Sequence, residues 1–156
     1  CRYVGTDLLC YRAAAPAALA ARQAATWDPL LGWAARRFGL ALAVTKGVMP
    51  LPRSSDNDET VRKILENIDP ITLTGIAEVT AAAGSLVIGL ALWDGWIDAA
   101  QAWAASTVDE TFQAERWGRD EEAQAMLAAR QASLAAGARL TALASEGPPL
   151  AKRRHP

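Results

Sequence analysis

"PITLTGIAEVTAAAGSLVIGLALWDGWI", residues 70–97, is the stretch on which the fold turns. It is long and mostly apolar, so it raises the question of a membrane. A spanning helix needs about 20 strongly apolar residues, and an acid at its centre costs about 3 kcal/mol. Glu78 sits inside this stretch with Thr72, Thr74 and Thr80, and no Lys or Arg flanks it. The stretch therefore reads as buried helix in a protein without membrane insertion. Asp69 before Pro70 is a helix start: Asp caps the free N–H groups, and Pro has no N–H to leave unsatisfied. Gly84-Ser85 predicts a break, with Ser85 capping a second helix. "WDGWID" reads as a turn, and Asp98 caps the next helix. Gly75, Gly84 and Gly89 would let neighbouring helices approach closely.

Upstream, residues 12–25 read as an Ala-rich helix beginning near Pro16. Trp27-Asp28-Pro29 repeats the Asp-Pro device and predicts a new helix from Pro29 to about Phe38. Leu30, Leu31, Ala34 and Phe38 share one side of it at helical spacing, and Gly39 is a stop. Trp27 is read as core, and Asp28 and Pro29 as structural. The alternation Leu40–Val44 suggests a short strand, giving a β segment near 40–46. "PLPRSSDND" reads as a loop. Val61, Ile64, Leu65 and Ile68 then mark an amphipathic helix.

Downstream, a single helix from Asp98 to Trp117 would point Trp103 and Phe112 to opposite sides. A break near Thr107 removes that conflict, with Thr107 and Glu110 spaced as a capping box. Gly118 ends this helix, and Asp120 can cap a final one that fades near Ser145. The fold class is thus mainly α: one multi-helix domain over 1–145, followed by a flexible basic tail, 146–156.

Composition narrows the function. The chain has 156 residues, 51% hydrophobic and 21% charged, with a formal net charge of -1. That is a globular balance without the basic footprint of a nucleic-acid binder. Cys1 and Cys10 are too few for a disulfide framework or a zinc site, which fits reducing conditions. The chain opens on Cys1 rather than Met, and its start is read as a cut. The single His is His155, in the tail, so no Ser-His or Cys-His arrangement can form on a folded core. No phosphate-binding Gly loop is present, and no ligand spacing demands a metal or a cofactor. Carboxylate chemistry stays open on paper through Asp109, Glu110, Glu115, Asp120, Glu121 and Glu122.

The segment "TFQAERWGRDEEA", residues 111–123, forms a corner between two helices. Val108 and Phe112 should face inward. Glu110, Gln113 and Trp117 fall on another face, at i, i+3 and i+7. Trp combines a large apolar area with one donor and is a common interface anchor. Architecture alone could also explain the corner. Trp117 could cover the core beside Gly118, and acids at 120–122 suit a helix N-terminus without any function. In the last helix Arg130 projects from an apolar side made by Ala123, Met126, Leu127, Leu134 and Leu140. It either takes Glu115 or Glu78 as partner or snorkels to water.

Four stretches in this order are familiar: "TDLLCYRA" (6–13), "WDPLLGW" (27–33), "GSLVIGLAL" (84–92) and "DETFQAERWGRDEEA" (109–123). Together they resemble the ATP-twelve family, assembly chaperones of the F₁ part of ATP synthase, over about residues 3–143. The resemblance implies a two-domain α+β family in which this chain is the helical C-terminal domain, without the N-terminal β-rich one. It implies no enzyme and no cofactor. The partner would be the unassembled α subunit of F₁, whose subunit interface is shielded until assembly. The client-binding residues would be Glu110, Gln113, Trp117, Asp120, Glu121 and Glu122, and Asp109 and Gly118 also fall on the family's acidic Trp-Gly segment. A monomer in the bacterial cytoplasm is expected, or in the mitochondrial matrix if the source is eukaryotic. Two departures stand out: Phe112 where relatives often carry Trp, and Arg119 where they often carry an acid. The competing readings are a helical interaction domain for another partner and a carboxylate enzyme.

Overall fold

The computed structural model describes residues 5–47, 51, 54–118 and 120–146. Seven α-helices, a 3₁₀ turn (Leu8–Cys10) and two short strands occur among the described residues, and the fold is mainly α. Helix α1 is Ala17–Phe38, α2 Ser55–Leu65, α3 Pro70–Ala83, α4 Leu86–Trp93, α5 Ala99–Ser106, α6 Val108–Trp117 and α7 Glu121–Glu146. Strand β1 (Tyr11–Arg12) pairs in parallel with β2 (Thr45–Lys46), in the register Tyr11↔Thr45 and Arg12↔Lys46. No helix among the described residues is long and apolar enough to cross a membrane.

The decisive stretch folds as a pair of helices, α3 and α4, for the local reasons its sequence gives. The Asp69 carboxylate accepts from the N–H groups of Ile71 and Thr72, with Pro70 in the first turn. Gly84 ends α3 at φ +70°, a left-handed conformation that costs glycine little. The Ser85 hydroxyl then accepts from the N–H of Ile88 and opens α4. Ile76, Val79, Ala82 and Ala83 of α3 and residues Leu86–Ala91 of α4 are buried at the centre of the molecule. Helix α7 lies against α3, α1 packs on α4 and α6, and α5 bridges α4 and α7.

Small residues set two of these distances. A Cβ built on Gly75 would lie 2.8 Å from the Gly137 carbonyl oxygen of α7. One built on Gly89 would overlap the Thr80 hydroxyl of α3. Gly84, by contrast, serves as the turn and leaves a Cβ only ordinary contact, 3.8 Å from Leu8.

Four expectations need correction. Asp28-Pro29 does not start a helix: α1 runs unbroken from Ala17 to Phe38, with Pro29 inside it. Trp27 and Leu30 are both buried along it, and Asp28 accepts from Arg12 instead of capping. Leu40–Val44 is not a strand. Among the described residues its alternation has no strand partner, and pairing begins at Thr45, opposite Tyr11. The polar "SSDND" is not wholly loop. Ser54 accepts from the N–H of Asn57 and starts α2, with Asp56 and Asp58 in its first turn. Finally, α7 has no apolar side along its whole length. Residues 121–126 are exposed, Met126 among them, while Leu134, Gly137 and Thr141 are buried against the body. The basic tail from 147 onward lies outside the described residues, as does Arg119.

Candidate functional site: an acidic cleft and the corner beside it

The N-terminal segment comes to the joint between α3 and α4 and helps to shape the site. Asp7 is fully buried. Its carboxylate accepts from the N–H of Leu9 at 3.1 Å and from that of Val87 at 3.2 Å, in the first turn of α4. Burial pushes its pKa up, against the lowering effect of the Ser85 hydroxyl and the backbone N–H groups. Leu8 donates its N–H to the Gly84 carbonyl. The next turn anchors on α1. Arg12, 7% exposed, donates to the Leu9 carbonyl and to Asp28 at 2.8 Å and lies over the Trp27 ring. Trp27 in turn donates from its indole N–H to the Ala105 carbonyl at 2.8 Å. It is core, as its sequence context predicts, and Asp28 is structural through an ion pair.

Helix α6 is tied down at both ends. Gln23 of α1 donates its amide to Asp109 at 2.7 Å and accepts from the Ala13 N–H. Arg22 makes a two-pronged salt bridge to Glu115, at 3.0 and 2.8 Å, and holds that carboxyl below the usual range. Val108 and Phe112 face inward and are buried, as expected. The chain breaks at Thr107 as predicted, but without the capping box. Thr107 turns its hydroxyl back to the Trp103 carbonyl, and Glu110 is taken by Arg130. The pair is short, 2.6 Å, and each side chain is about one-third exposed, 35% for Arg130 and 36% for Glu110. The partner of Arg130 is thus neither Glu115 nor Glu78. A second donor of Arg130, Nε, reaches the Ala82 carbonyl at 3.1 Å.

These elements enclose an open cleft of about 410 Å³. Its walls include Leu8, Trp27, Gly84, Asp109, Glu110 and Arg130, with Gln113 and Ser106 at its sides. The predicted stripe is therefore split. Glu110 and Gln113 face the cleft, while Trp117 stands outside it at the end of α6, 74% exposed. Gly118 makes the corner at φ +86°. Asp120 caps α7 by accepting from the Ala123 N–H at 3.1 Å, as the sequence predicts. Glu121 and Glu122 come next, exposed in the first turn. Glu110, Gln113, Trp117, Asp120, Glu121 and Glu122 thus fall into two adjoining groups, a cleft and a knuckle. Sequence reasoning did not see that Arg130 belongs to the cleft, because its partner lies 20 positions away on another helix. No group of three or more His, Cys, Asp or Glu side chains suited to a metal occurs among the described residues.

A family profile described as ATP12 chaperone protein matches residues 1–35. The crystal structure of Atp12 from Paracoccus denitrificans matches with a TM-score of 0.87 and 46% sequence identity, over 91% of this chain. The chain belongs to the ATP12 family. A further crystal structure, of the Atu1473 protein from Agrobacterium tumefaciens, matches with a TM-score of 0.84 and 36% identity, over 90% of this chain. The chain spans 61% of the length of the Paracoccus protein and 53% of the Agrobacterium one. At this likeness the fold is that of the ATP12 structures.

Proposed function

We propose that this chain is an assembly chaperone. It binds the unassembled α subunit of the F₁ ATP synthase and shields its subunit interface until assembly. The observation that carries the reading is Trp117. A large side chain stands almost free of the body, beside the exposed acids Glu121 and Glu122 and the capping Asp120. An aromatic anchor with an acidic rim suits a client that is apolar at its interface and carries Arg or Lys around it. The rim gives orientation and rapid encounter, and its modest strength permits release. Family membership supports a chaperone, and the name of the Paracoccus relative supports ATP synthase assembly. On this reading the protein works as a monomer in the bacterial cytoplasm and carries out no chemistry.

The carboxylate-enzyme reading needs two converging acids in a deep pocket. Asp109 and Glu110 do converge, but the cleft is open, and each already accepts a donor from the protein. The test is a pull-down of the cognate F₁ α subunit by wild type, Trp117→Ala and the double variant Glu121→Gln/Glu122→Gln. Capture by wild type with a roughly tenfold or greater loss in folded Trp117→Ala supports the reading, a loss within the range of interface hot spots. Equal capture by all three removes the knuckle from the mechanism, and no capture by any removes the α subunit as client.

A further inference from the structure

The cleft beside the knuckle has a charge pattern that the shielding role does not use. Two helices end in it. Ala83 and Gly84 close α3, and Ser106 closes α5. Two others begin at the same joints, α4 behind Ser85 and α6 at Val108, so the opposed helix poles largely offset each other and the side chains set the charge. Two carboxylates, Asp109 and Glu110, line the same space. A single guanidinium, that of Arg130, faces all of this. It is held by the Ala82 carbonyl at the end of α3, by Glu110, and by the Trp103 ring 5.8 Å from its carbon. The cleft therefore already seats one guanidinium through its own chain. Among the described residues Asp109 receives the neutral amide of Gln23 and no cation. Leu8, half-buried, is an apolar part of the cleft lining and suits the methylene stem of a long side chain.

We propose that the cleft receives one cationic side chain, arginine or lysine, of the bound client, with Asp109 and Glu110 as its carboxylates and Arg130 as the internal competitor that favours its release. The inference rests on the reading of this chain as a client-binding protein. It adds a second anchor point to the exposed Trp117, inside the body rather than on the knuckle. Arg130 keeps its tether to the Ala82 carbonyl and Trp103 when it shares Glu110, so the cleft can fill and empty without α7 detaching. Charge repulsion between Arg130 and the incoming cation then keeps the affinity of the cleft moderate.

The test uses this chain, labelled with ¹⁵N, titrated with a capped Ala-Arg-Ala peptide and, in parallel, with capped Ala-Glu-Ala. The amides of Gly84, Glu110 and Gln113 should shift and saturate with the arginine peptide alone. Asp109→Asn keeps the oxygen that accepts from Gln23 but removes the charge, and should weaken binding about threefold or more. Arg130→Gln removes the competitor and should strengthen it by a similar factor. Absence of shifts, equal shifts with the glutamate peptide, or unchanged affinity in Asp109→Asn would overturn the proposal. If Arg130→Gln fails to fold, Asp109→Asn still decides. A second arm measures F₁ α-subunit binding by wild type and Asp109→Asn. Peptide binding without α-subunit binding removes the α subunit as client and leaves the cation site standing. Equal α-subunit binding by both forms removes the cleft from client recognition and leaves the knuckle standing.

Discussion

Gly75 of α3 and Gly137 of α7 meet backbone to backbone. A Cβ on either would come within 2.8 Å of the other's carbonyl oxygen. This crossing joins the central apolar helix to the half of α7 that is buried, and it fixes the base from which the other half of α7 projects.

Gly75→Ala should therefore destabilise the protein. Helix propensity alone would favour Ala by about 1 kcal/mol, whereas forcing atoms into a packed interface costs about 1–3 kcal/mol. The obstacles are the Gly137 carbonyl and the Thr141 backbone N, at 2.8 and 2.9 Å, and they cannot swing aside as a side-chain tip could. A net loss of up to about 2 kcal/mol in urea unfolding is expected. A gain would show that the two helices slide apart without cost.

Trp117→Ala and Phe112→Ala should part company in the same assay, although both remove an aromatic from α6. Phe112 is buried in the core, and its truncation should cost about 3–5 kcal/mol. Trp117 is exposed, and its removal should change stability by less than about 0.5 kcal/mol. A large loss for Trp117→Ala would make the corner an architectural element and undercut every binding experiment that uses this variant.

Asp7 sets a pH dependence whose sign differs from that of most carboxylates. Burial raises its pKa above the ordinary 3.8. The folded chain therefore holds this proton at pH values where the unfolded chain has lost it. Its contribution to stability is full below the unfolded value and is lost as pH rises through the folded one. Comparison with Asp7→Asn cancels the other carboxylates. The advantage of wild type over that variant should grow as pH falls from about 8 to about 4. A constant difference would mean that Asp7 titrates as it does in the unfolded chain.

Cys10 should be chemically silent in the folded protein. Its thiol is buried, and desolvation together with the nearby Asp7 pushes its pKa up to about 12. At pH 8 the thiolate fraction is on the order of one in ten thousand. In a Cys1→Ser background, Ellman's reagent should label Cys10 only as fast as the chain opens, and urea should accelerate labelling in step with unfolding. Prompt labelling in buffer would show that the Leu8–Cys10 turn opens by itself.

The helices whose ends are written locally were legible in the sequence. Asp69-Pro70, Ser85, Asp98 and Asp120 all cap the helices their neighbours predict. Asp28-Pro29 carries the same local signature and is not a helix start. The difference is tertiary. Arg12, from another element, draws off the Asp28 carboxylate, and Trp27 and Leu30 bury along one continuous helix. The cleft was hidden for the same reason. Glu110 and Gln113 share a stripe with Trp117 in the sequence, but the partner of Glu110 comes from α7 and other lining of the cleft from α1 and the Leu8–Cys10 turn. Spacing along a helix says which residues share a face. It does not say which other helix that face will meet.

Helix α7 leads a divided existence: its later turns press on α3, while residues 121–126 are exposed. A segment so placed contributes little to the folding free energy. Substitutions there meet little packing, so the exposed turns can be altered without disturbing the buried half. The glycine crossing thus divides one helix into a part whose sequence is answerable to the fold and a part answerable only to what it touches.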